Sequence, residues 1–188
     1  MENMDYFQSQ IQIVKSEKQI RWLLWFFVVA LFLSGLSAFP LVWGSEMLLQ
    51  TLDFMNIHGQ LLSFAKEVRR GVKFNDENFS FMAYGTDWLA FGHIMYALLF
   101  YGALRNPFKN KWLIHFGMIA CVCIVPASFL MGHFRSIPLL WGIVDSSFGI
   151  VGFAVLYMVL KRMKNITDLR RHLRTFNRKN ITQEKPAA

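Results

Sequence analysis

WLLWFFVVALFLSGLSAFPLVW, residues Trp22 to Trp43, runs for 22 residues without a charge. At about 1.5 Å of rise per helical residue this stretch reaches about 33 Å, enough to cross a hydrocarbon core of about 30 Å. Three further charge-poor runs follow at Trp88 to Leu104, Trp112 to Phe134 and Ser136 to Leu160, the last with Asp145 as its only charge. Four such runs predict an all-α integral membrane protein, a four-transmembrane-helix bundle with spans over 22–43, 88–104, 112–134 and 137–160. Residues 1–21 form an N-terminal segment, 44–87 an outer loop and 161–188 a basic tail.

Composition supports this class and excludes others. Hydrophobic residues make up 54% and charged residues 17% of the 188, and mean hydropathy is +0.32. A soluble domain carries about 25% charged residues, and the segments outside the four runs are too few to cover four helices that are apolar all round. Nineteen Phe against five Pro and two Cys exclude a disordered chain and a disulfide scaffold. Cys121 and Cys123 are two apart on one helix and point away from each other, so they form neither a disulfide nor a shared metal site. Leu36-Ser37-Ala38 resembles a signal-peptide cleavage site only loosely, and the first helix is expected to be retained.

The charge asymmetry sets an orientation. Fifteen Lys and Arg fall on the side that holds both chain ends, in 1–21, in the connection with Arg105, Lys109 and Lys111, and in the tail; five fall on the other side. The positive-inside rule then places both termini in the cytoplasm of a plasma membrane, with a bacterial inner membrane favoured. The basic tail begins at a helix end, which points to anionic lipid headgroups, in addition to the bilayer itself, and not to nucleic acid.

The loop 44–87 is too long for a bare connection. Leu48, Leu52, Met55, Leu62 and Ala65 recur at helical spacing, which predicts an outer amphipathic segment between helices 1 and 2: one helix, or two halves bent at Asn56-Ile57-His58-Gly59. Arg69-Arg70-Gly71 is expected to end it, with 75–86 a loop. In the short connection 132–136, Ser136 and Pro138 are expected to cap and begin the fourth helix.

Asp145 carries the most information about function. An acid within a span costs on the order of 3 kcal/mol on insertion scales, and the glycines on its helical face predict that it points into the bundle. His93, on a face with Ala90, Tyr96 and Ala97, lies at a matching depth, so the two are expected to pair or to face one wet cavity. Pro126 frees the carbonyl of Val122 at the same level, with Ser128, water or a ligand as its partner. His133 and Arg135 sit at the mouth on the same side, where a positive field suits a carboxylate or phosphate. The candidate ligand-binding set is therefore His93, Asp145, Tyr96, His133 and Arg135.

Sharper motifs fail. His93, His133 and His115 lie at different depths, which does not suit a bis-histidine haem; Met131, His133, Met55 and His58 are donors suited to copper but common in membrane helices; HExxH, GxSxG, CxxC and a Gly-rich phosphate loop are missing. The number of spans resembles that of four-helix cytochromes b and of small tryptophan-rich transport proteins, a likeness of topology that brings no residue roles. The expected function is small-molecule binding at an outward-opening polar site. The alternatives are a non-catalytic structural or assembly subunit of a membrane complex and a metal- or haem-dependent membrane oxidoreductase. No catalytic residue, cofactor or oligomeric state is legible.

Overall fold

The structure, a computed structural model, describes residues 2–183. It consists of α1 (Glu2–Ala38), α2 (Leu41–Phe54), α3 (Gln60–Phe79), a 3-10 turn (Ser80–Ala83), α4 (Tyr84–Arg105), α5 (Lys111–Phe134) and α6 (Leu139–Gln183). No strand occurs among the described residues, and α1, α4, α5 and α6 are long and apolar enough to cross a membrane. The side of the bundle that holds both chain ends is called the terminal side below, and the other the distal side.

Boundaries follow local chemistry. α1 stops at Ala38, short of the expected Trp43, because Pro40 disfavours helical backbone at Phe39 and supplies no N–H. α2 and α5 end in the same way. The Asn56 and Ser136 backbones take φ of 56° and 54°, and the amides of Ile57 and Ile137 donate to the carbonyls of Leu52 and Gly132 at 3.0 and 2.9 Å. Both are Schellman ends, in which a left-handed residue satisfies the last carbonyls. Ser136 thus closes α5 and does not cap α6, whose first bonds go to the Pro138 carbonyl.

The outer segment adopts the bent form, α2 and α3 turning at 55–59, with Glu46 of α2 accepting from Arg69 of α3 at 3.0 Å. Contrary to expectation, α3 does not stop at Gly71 but continues to Phe79. A glycine within a helix costs only about 1 kcal/mol, and Lys73 and Glu77 form an i,i+4 pair at 3.9 Å beyond it.

The spans are not arranged in a closed ring. α4 packs along α1, α1 along α6 and α6 along α5, whereas α4 and α5 meet mainly near their terminal-side turn, where Gly102 lies by Leu113 and Gly117 by Phe100. The core lies toward the terminal side and beyond it: Ile13, Ile20 and Leu24 of α1 pack with Leu156, Val159, Met163, Ile166 and Leu173 of α6. These α6 positions repeat at spacings of three and four, a coiled-coil seam that carries α6 straight on from its span. Glu17 accepts from Arg170 at 2.6 Å, Gln19 accepts from Arg162, and Arg170 lies over the Phe108 ring at 5.2 Å. Residues 161–175 of the expected tail are therefore a helix docked on α1. Lys185 and the side chains of Arg178 and Lys179 lie outside the described residues.

Candidate functional site

Glycines set the helix spacing around the site. A Cβ on Gly149 would stand 2.6 Å from the Cys121 carbonyl oxygen and one on Gly152 2.8 Å from Cys121 Sγ, so the α6 glycine stripe brings that helix into backbone contact with α5. Gly35 does the same for α1 and α4, its missing Cβ lying 2.8 Å from His93 Cβ. Toward the distal side α4 and α1 form one pair and α5 and α6 another. The space between the pairs is a cavity of about 540 Å³ with walls from all four spans.

The cavity is polarised along the helix axes. Its floor is the Phe27–Phe100 pair, centroids 4.9 Å apart, together with Gly117 and Val155. Its distal part holds Ser34, His93 and Ser147, with Tyr96 one turn below His93 and its ring 6.4 Å from that of Phe116 across the α4–α5 gap. His93 Nδ1 is 2.9 Å from the Leu89 carbonyl oxygen. A carbonyl only accepts, so Nδ1 carries a proton; in the neutral imidazole Nε2 is then an acceptor, and it makes no hydrogen bond among the described residues.

The other members of the candidate set lie elsewhere. Asp145 does not line this cavity: it is exposed on α6, and no hydrogen bond or ion pair joins it to His93 or to any other described residue. The glycines beside it are buried against α5, but its own position lies at the edge of that contact. The expected burial and the expected pairing are both absent from this structure. His133 and Arg135 are exposed at the α5–α6 turn, His133 beside the Phe134 ring at 6.0 Å.

Pro126 lies within α5, and the expected partner of the freed carbonyl bonds elsewhere. Ser128 Oγ donates to the Val125 carbonyl at 2.9 Å and meets Ser146 Oγ at 2.7 Å, a hydroxyl bridge between α5 and α6. Among the described residues no three His, Cys, Asp or Glu side chains come together in a set able to hold a metal ion.

Residue-by-residue reading missed Ser34 and the Phe floor. Ser34 stands in a charge-free run next to Gly35, and that polar-small pair was the available signal for close approach. The chain matches no family model, no curated protein and no solved structure.

Proposed function

We propose that this multi-pass membrane protein binds an amphipathic small molecule in the cavity between its spans. The polarised lining supports this most directly: an apolar floor of Phe27, Phe100 and Val155 suits a ring or chain, and Ser34, His93 and Ser147 suit a single polar head. His93 Nε2 accepts a hydrogen bond, which favours a ligand hydroxyl or amine as donor. About 540 Å³ falls in the range of small-molecule sites. Entry from the bilayer through the α4–α5 gap, past Tyr96 and Phe116, fits the loose contact between those helices. His133 and Arg135 at the distal turn are proposed to attract a polar headgroup before entry.

The Lys and Arg asymmetry supports both termini in the cytoplasm, in a bacterial inner membrane, with the polar end of the cavity in the outer half of the bilayer. Reporters fused to the C-terminus that work only in the cytoplasm or only outside it check this; an outside C-terminus overturns it. For binding, 1-naphthol fluorescence is titrated against the purified full chain. Ala120→Phe, which fills the cavity, is expected to abolish binding, and His93→Ala to weaken it about tenfold, the worth of one hydrogen bond. Binding unchanged in both variants overturns the proposal.

A second reading, an assembly subunit, is favoured by one observation. Asp145 is exposed on a span without a hydrogen-bond or ion-pair partner among the described residues, the condition expected of a residue that meets a donor on another protein's helix.

A further inference from the structure

We propose that α1 carries a second site, separate from the cavity, for one anionic phospholipid of the terminal-side leaflet. α1 buries Ile13, Ile20 and Leu24 in the core, and its opposite face presents a shallow groove walled by side chains of α1 alone. Lys18 and Arg21 stand at one end of the groove, Trp22 and Trp25 follow, and Val29 and Leu33 continue it toward mid-membrane. The order is that of a phospholipid: charge, interfacial aromatic, hydrocarbon. From Lys18 to Leu33 the helix rises about 22 Å, the depth of one leaflet with its headgroup region.

The charges select the headgroup. Neighbouring Glu17 and Gln19 are engaged by Arg170 and Arg162 of α6, but Lys18 and Arg21 are exposed and make no hydrogen bond or ion pair among the described residues. Two uncompensated cations beside two interfacial tryptophans attract a phosphodiester of net negative charge, which the Arg fork is able to grip bidentately. A free phosphate would use the cations but not the apolar wall, and the continuity of the two commits the groove to a lipid. Phe26 and Ala30 also line the central cavity, so the acyl chain would lie on the outer surface of that cavity's α1 wall.

The test reconstitutes the full chain in phosphatidylcholine vesicles containing either phosphatidylglycerol or phosphatidylcholine with brominated acyl chains, and reads quenching of tryptophan fluorescence. Brominated phosphatidylglycerol is expected to quench the groove component at about tenfold lower mole fraction than brominated phosphatidylcholine. In Lys18→Gln/Arg21→Gln the two curves are expected to coincide, while Lys18→Arg/Arg21→Lys keeps the preference and shows that the loss is not misfolding. Lys161→Gln/Lys164→Gln on α6 is expected to change nothing, and added inorganic phosphate is expected not to compete. Equal quenching by the two lipids in the wild type, a preference that survives in the double Gln variant or disappears in the α6 variant, or reversal by phosphate each overturns the proposal.

Discussion

Asp145 lies one turn below Trp141, whose ring meets Phe64 of α3 at 5.5 Å. It is bordered by exposed Val144 and Phe148, and its carboxylate makes no hydrogen bond or ion pair among the described residues. Two outcomes follow from that exposure. Asp145→Leu removes an acid from an apolar span without orphaning any donor among the described residues, so it is expected to stabilise the isolated protein by about 2–3 kcal/mol, with Asp145→Asn between. Thermal unfolding of the purified chain in nanodiscs checks this, and a Leu variant less stable than wild type would show that the acid has an internal partner. His93, hydrogen-bonded to Leu89 and not to Asp145, is expected to react with diethyl pyrocarbonate at the same rate in wild type and in Asp145→Asn. A changed rate in the variant would restore the pairing that the matched depths suggested. Gly142, Gly149 and Gly152 marked a contact face in the sequence, but azimuth was not legible: which side chain beside them is covered depends on the neighbouring helix's position.

At the level of elements, the α5–α6 contact is held by absent side chains. Gly149→Ala would set a Cβ 2.6 Å from a backbone oxygen and 3.2 Å from Ile124 Cβ, neither of which is the flexible end of a side chain. A loss of about 1–3 kcal/mol is expected, read as a lower unfolding temperature, whereas Gly71→Ala on α3, where nothing lies within 4 Å, is expected to be neutral or stabilising. An equal effect at the two positions would contradict the close approach. The spans were legible because each is a long run with at most one charge, whereas helical spacing left a single outer helix and two halves bent at 56–59 equally open, and the left-handed Asn56 backbone decides for the bend. The docked continuation of α6 was harder to read. Met163, Ile166 and Leu173 hold the three-four spacing, but Lys161, Arg162, Lys164, Arg170 and Arg171 among them resemble a solvated tail until Glu17 and Phe108 are seen beside Arg170.

For the whole molecule, the order in which helices touch decides the site. α1 lies between α4 and α6, α4 and α5 separate toward the distal side, and the resulting cavity draws its walls from segments more than 100 residues apart in sequence. No single run contains that information, so His93 and Tyr96 were found from their own chemistry, and Ser34, Phe27 and Phe100 were not. The most direct measurement places a photoreactive benzoylphenylalanine at Phe116, which lines the cavity, or at Ile119, which is 64% exposed and lies outside the cavity lining. After illumination in native membranes, mass spectrometry of the adducts is expected to show one recurring small molecule at residue 116 and a mixture of bulk lipids at residue 119. The same lipid mixture at both positions would contradict a selective binding cavity.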